Sequence, residues 1–253
     1  MKTHLLTAAL VVVCTTSAWA QSTTVYLPQI ADGMEGGPAH WHTTIFVGNS
    51  GTTTASGSIA MTQSSGNPMT AQFVDELGNG AARSGQISFQ LAPGQSHKYT
   101  STAAEPLQVG FATVTANAPV TVNAVFSHYS NGAAEFLIAE AGVPPSVPMG
   151  KQAIFVDTQF GFNVGTAIAN PNMSAENITL QILNTAGQIV ASASRSLGPH
   201  QHLATFVTEL FPGLPPMAGI LEIYARDPLV SMALRFDSKM TAFTTLFPFP
   251  MPY

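Results

Sequence analysis

Along most of this chain apolar and polar residues alternate with a period of two, and Gly, Pro and Asn break the pattern every few residues. A strand turns successive side chains to opposite faces, so this alternation buries one face of a sheet and leaves the other wet. Thr113-Val114-Thr115-Ala116 and Val120-Thr121-Val122-Asn123-Ala124-Val125-Phe126 alternate about a turn at Asn117-Ala118-Pro119. Ile178 to Leu183 alternates likewise and breaks at Asn184-Thr185-Ala186-Gly187, and Ile87 to Leu91 ends at Ala92-Pro93-Gly94. Only Phe206 to Phe211 suggests a helical turn, stopped by Pro212-Gly213. These signals predict an all-β chain of antiparallel sheets. A sheet with one apolar face needs a covering layer, which makes a sandwich.

The two halves of the chain repeat each other. Thr43-Thr44-Ile45-Phe46-Val47-Gly48-Asn49 answers Gly165-Thr166-Ala167-Ile168-Ala169-Asn170, each an apolar strand closing on an Asn-led turn. Ile59-Ala60-Met61 answers Leu180-Gln181-Ile182, and Leu91-Ala92-Pro93-Gly94-Gln95 answers Leu197-Gly198-Pro199-His200-Gln201. The clearest match reads as a hairpin: Gly110, Val114, Ala116 and Pro119 against Gly219, Ile223, Ala225 and Pro228, each followed by a strand ending in Phe126 or Phe236. Ala134-Glu135-Phe136 answers Thr241-Ala242-Phe243.

The stretch from Met61 to Leu91 is about twice that from Ile182 to Leu197. The 62–90 segment therefore reads as a long loop or an extra hairpin; long loops are where a rigid sandwich often carries specificity, and the alternative is a tolerated insertion. Pro144, Pro145 and Pro148 mark 142–150 as a stiff connector. The expected organisation is a first unit at 21–141 and a second at 151–253.

The start Tyr26-Leu27-Pro28-Gln29-Ile30-Ala31-Asp32-Gly33, an aromatic at Trp41, and the strand from Thr43 to Asn49 resemble a group of uncharacterised bacterial secreted repeat proteins. Leu107 to Val114 with Pro119-Val120, and Leu234-Arg235-Phe236, fit the same group. The resemblance implies two tandem Ig-like β-sandwich units. It brings no established activity and no functional residue.

Residues 1–20 have the three parts of a secretory signal: Lys2, a short apolar run from Leu5 to Val13, and Ala18-Trp19-Ala20 ahead of Gln21. The apolar run falls far short of the roughly 20 residues that span a bilayer. Cys14 is the single cysteine, and Val13 before it is too large for a lipobox. Cleavage after Ala20 would leave a thiol-free chain in a secreted, extracellular or periplasmic setting, held together by burial without disulfides. Charged residues make up 8% of the chain, against about 25% in ordinary globular proteins, and the formal net charge is −5. So few Lys and Arg make no phosphate-tracking stripe, which argues against a nucleic-acid partner. No later apolar run is long enough for a membrane helix, and the Pro-interrupted C-terminus, Phe247 to Tyr253, does not suit the last strand of an outer-membrane barrel.

For chemistry, the histidines come first. His40-Trp41-His42 and His200-Gln201-His202 are both His-x-His, a spacing that places two imidazoles on one face of a strand and makes His40, His42, His200 and His202 candidate metal ligands. A third ligand would come from His97, His128, Asp32 or Glu35. The bland reading puts the first pair on a polar strand face beside a buried Trp41, and the second in a surface turn. No Gly-x-Ser-x-Gly elbow, calcium loop, phosphate loop or cofactor motif occurs. The carboxylates Asp75, Glu76, Glu135, Glu140, Asp227 and Asp237 are scattered near turns. Trp41, Tyr99, Tyr129 and Tyr224 are the aromatics that would stack on a sugar, with Trp41 the candidate ligand-binding residue.

Three functions follow, in descending order. The first is a noncatalytic extracellular or cell-surface structural or adhesive module. The second is a carbohydrate- or protein-binding module using Trp41 and the 62–90 loop. The third is a secreted metal-dependent hydrolase using the His-x-His pairs. The apolar run Ala242 to Phe247 is either a sheet edge for self-association or an internal strand of its own unit.

Overall fold

A computed structural model describes residues 22–34, 39–81, 85–103, 106–130 and 136–252. The expected signal segment and the candidates Glu35 and Glu135 lie outside the described residues. The alternating runs form strands as the pattern predicts, and the described structure is almost entirely antiparallel sheet. The Phe206–Phe211 signal becomes one helical turn, α1 (Val207–Leu210), where the Glu209 side chain reaches back to the Phe206 amide.

The N-terminal half holds β1 (Thr23–Met34), β2 (Ala39–Gly48), β3 (Ala55–Gln63), β4 (Phe73–Val74), β5 (Gln86–Leu91), β6 (Ser96–Ser101), β7 (Gln108–Ala116), β8 (Thr121–Ser130) and β9 (Leu137–Val143). One layer runs β5-β3-β7-β1 and the other β4-β6-β2-β8-β9. They join where Gly33 and Met34 of β1 pair with Trp41 and His40 of β2. The C-terminal half holds β10 (Met149–Asp157), β11 (Asn163–Ala169), β12 (Glu176–Asn184), β13 (Ile189–Leu197), β14 (His202–Phe206), β15 (Ala218–Phe236), β16 (Phe243–Leu246) and β17 (Phe249–Pro250). Its layers run β13-β12-β15-β10-β17 and β14-β11-β15-β16.

The central pairings recur in the two halves. β2 lies between β6 and β8 as β11 lies between β14 and the end of β15. β3 lies between β5 and β7 as β12 lies between β13 and the start of β15. The segment read as a hairpin is corrected by these partners. β7 pairs with β1 and β3 in one layer, while β8 pairs with β2 and β9 in the other. In the C-terminal half the same path is one continuous 19-residue strand that serves both layers. Pro228 sits at the changeover, where the register with β10 jumps from Tyr224 to Leu229. A proline has no amide to give a ladder, so the corner between sheets is where one is tolerated.

The 62–90 segment is not a single open loop. It carries β4, which pairs beside β6 as the outermost strand of its layer, and buries Met69, Ala71 and Phe73 in the core. The connector is shorter than the sequence suggests, because β9 extends to Val143 and β10 begins at Met149. Between them Ser146 bridges to Tyr26 and its hydroxyl donates to the Ser231 carbonyl at 3.1 Å.

The halves share apolar packing. Ala167, Met232, Leu234, Phe236 and Phe243 join the core built on Trp41, Ile45 and Phe126, while Ile154, Ile168, Leu180 and Ile223 form a separate core. Phe111, Ala169 and Val230 make a third contact across the junction. The layer containing β11 is therefore covered on both faces, which is why Ala167-Ile168-Ala169 and Leu229 to Leu234 are buried without alternation. β1 is buried from Leu27 to Gly33 for the same reason.

Candidate functional site

The first His-x-His pair converges and the second does not. His40 and His42 leave β2 on one face with their rings 4.9 Å apart, edge to face, and Tyr129 stacks on His40 at 5.7 Å. His42 Nδ1 donates to the Ser101 carbonyl at 2.6 Å. His200 instead occupies a turn at φ 57°, with its Nε2 3.0 Å from the Met173 sulfur. His202 begins the next strand and points into the junction. Among the described residues no group of three or more His, Cys, Asp or Glu is arranged to hold a metal ion. His97 pairs with Glu76 at 2.8 Å, and His128 lies against Trp41.

His202 is the buried histidine of the junction. Its Nε2 donates to the Pro28 carbonyl at 3.1 Å, and its Nδ1 lies 3.1 Å from the Ser64 hydroxyl. Burial pulls its pKa down to about 4, against a smaller opposing contribution from the Pro28 bond, so the ring is neutral at pH 7. Neutral His202 can only accept at Nδ1. The single Ser64 proton is also claimed by the Val109 carbonyl at 3.0 Å, so the three bonds compete for two protons. The start of the 62–90 segment thus ties the two halves together.

The carboxylates serve turns and ion pairs. Asp75 accepts from the amides of Leu77 and Asn79, and Asp237 from those of Thr241 and Ala242. Hydrogen bonds hold both below the usual range, chiefly from the Asn79 side chain for Asp75 and the Ala242 amide for Asp237. Glu140 accepts from the Ser127 hydroxyl, and Asp227 pairs with Arg226 at 3.0 Å. Sequence reasoning passed over Asp157, which takes two bonds from Arg235 at 2.7 and 2.9 Å while the guanidinium lies over Phe162.

Trp41 is only 4% exposed, so it offers no open sugar platform. Its indole lies flat against Phe126 and His128, with centroids at 4.5 and 4.1 Å, and tilts against Phe243 at 6.0 Å. Tyr99 is also buried, and the Tyr224 hydroxyl donates to Glu222 at 2.6 Å. Trp41 does form part of the wall of a cavity of about 240 Å³. The cavity lies between the two halves, with Trp41 and Phe126 on one side and Phe206, Met232 and Leu234 on the other. No sequence motif marks it, because its walls come from strands scattered along the chain, from Gln29 on β1 to Phe236 on β15.

No family model and no curated protein matches the chain. A solved structure described as an anti-sigma factor domain-containing protein aligns over 86% of this chain and 94% of its own, at 10% identity and a TM-score of 0.19. That value is far below that of a shared fold and assigns neither fold nor function here.

Proposed function

We propose that this chain is an exported, noncatalytic structural or adhesive module of the bacterial cell exterior, built from two tandem Ig-like units and belonging with the secreted repeat proteins it resembles. The observation that carries this reading is the fate of the reactive side chains. His202, Asp75, Asp237 and Asp157 all hold backbone or ion-pair contacts that fix turns and join strands. Functional carboxylates are commonly pushed towards neutrality, whereas the shifted ones here are held more acidic.

The repeated strand pairing supports the tandem reading. The two packed antiparallel layers of each unit support the Ig-like reading, although the pairing differs from that of an immunoglobulin domain. The first strand of each unit lies beside the strand before the corner, β1 with β7 and β10 with the start of β15. In an immunoglobulin domain the first strand lies beside the second.

The test uses residues 21–253, assayed against ester, peptide and glycoside substrates with and without zinc. The expected result is no turnover and no stoichiometric zinc. Turnover or zinc binding abolished by His40→Ala or His42→Ala would overturn the reading in favour of a metal-dependent enzyme.

A further inference from the structure

The cavity at the junction has a composition that a simple packing gap would not need. Its walls are apolar, yet Gln29 stands among them with a side chain only 7% exposed as a residue. Gln29 Oε1 is buried and has no hydrogen-bond partner among the described residues. A buried amide oxygen without a donor is destabilising, and an apolar side chain of similar size would avoid that cost. Thr205 and Glu209 add polarity at the end formed by β14 and α1, where Glu209 is exposed and bonds the Thr205 hydroxyl at 3.1 Å. The volume, about 240 Å³, falls just below the roughly 300–1,000 Å³ of drug-sized sites.

We infer that this cavity binds a small amphipathic molecule: an apolar chain or ring lying against Trp41 and Phe126, with one hydrogen-bond-donating head group. The head supplies the donor that Gln29 Oε1 lacks. A cationic amine gains further from the Glu209 carboxylate, whereas a carboxylate head meets both acceptors with no proton to give and is disfavoured. The apolar body replaces the empty space between the halves with van der Waals contact, which is the source of affinity in such sites. This goes beyond the structural role proposed above and does not depend on it, since a ligand-filled junction serves an adhesive or a binding protein equally.

Of the two tryptophans, Trp19 falls in the expected leader, so Trp41 is the single tryptophan of residues 21–253 and is excited apart from the tyrosines at the red edge of its absorption. That protein is titrated with 1-octanol, octylamine and octanoate while Trp41 emission is followed. Saturable changes are expected with octanol and octylamine, and an affinity at least tenfold lower with octanoate. Ala204→Phe, placed on an exposed strand position beside the cavity, should weaken octanol at least tenfold while leaving the circular dichroism spectrum unchanged. Gln29→Leu should raise the melting temperature and weaken octanol relative to octylamine. Glu209→Gln, which keeps the acceptor for the Phe206 amide, should weaken octylamine three- to fivefold and leave octanol unchanged. The proposal is overturned if octanol leaves Trp41 emission unchanged up to its solubility limit, or if folded Ala204→Phe and Gln29→Leu proteins respond as the parent does.

Discussion

Asn49 and Asn170 hold the same position in the two halves and do the same work. Each is buried at the end of a strand, after β2 and after β11. Asn49 Nδ2 donates to the carbonyls of Thr53 and Leu91 at 2.8 and 2.9 Å, and Asn170 Nδ2 to those of Ser174 and Leu197 at 2.8 and 3.2 Å. Their backbone amides donate to Gln95 and Gln201, whose own side chains accept from Ala92 and Gly198. The repeat seen in the sequence is thus a repeat of a hydrogen-bonded corner.

Replacing either asparagine with alanine should strand the buried carbonyl of Leu91 or Leu197 and release the exposed turn held at Thr53 or Ser174. Each variant is expected to lose about 2–4 kcal/mol in urea unfolding. The two losses should add, because the corners share no partner.

Gly110 and Gly219, also equivalent, lie where a neighbouring strand passes too close for a side chain. A Cβ at Gly110 would fall inside van der Waals contact with the Thr62 carbonyl, and one at Gly219 with that of Leu183. Gly110→Ala and Gly219→Ala should each lower the unfolding midpoint more than Gly94→Ala, where a Cβ meets open space and only the backbone conformation objects.

His202 sets a pH dependence. Its pKa is about 4 in the folded chain against an ordinary 6.5, so the unfolded chain takes up the proton first. Its contribution is complete above pH 6.5, falls as pH drops from 6.5 towards 4, and falls no further below that. The loss over this window should be roughly 3 kcal/mol. Urea midpoints between pH 7 and 4 should decline in the parent. The decline should be shallower in His202→Gln, which starts lower because it loses the fit between Ser64 and Pro28.

The all-β class, the one helical turn and the repeat were legible because each rests on local pattern: period-two alternation, the Pro212-Gly213 stop, and the Asn-led corners. The crossing between layers was not. A hairpin and a sheet-switching strand look alike when only the turn residues at Asn117-Ala118-Pro119 are visible. Burial of Trp41 and convergence of His40 with His42 follow from one strand, and both readings of that strand were within reach. The junction was harder, since its signal is the loss of alternation in Leu229 to Leu234 and Leu27 to Asp32, which reads equally as an ordinary buried strand. The different fates of His200 and His202 depend on a turn at positive φ that the His-x-His spacing does not encode.

The export reading predicts a specific mass. Expressed with residues 1–20 in a bacterium, the protein recovered outside the cytoplasm should begin at Gln21, and intact-mass spectrometry reads this directly. A chain retaining Trp19 in that fraction, or one lipidated at Cys14, would contradict it.

The core shared by Trp41, Phe126, Phe236 and Phe243 should make the two halves unfold as one body, which calorimetric unfolding of residues 21–253 reads out with Trp41 emission followed in parallel. A single transition, with calorimetric and van't Hoff enthalpies equal and the fluorescence midpoint coincident, is the predicted result. Two resolved transitions, with Trp41 reporting only one of them, would contradict it.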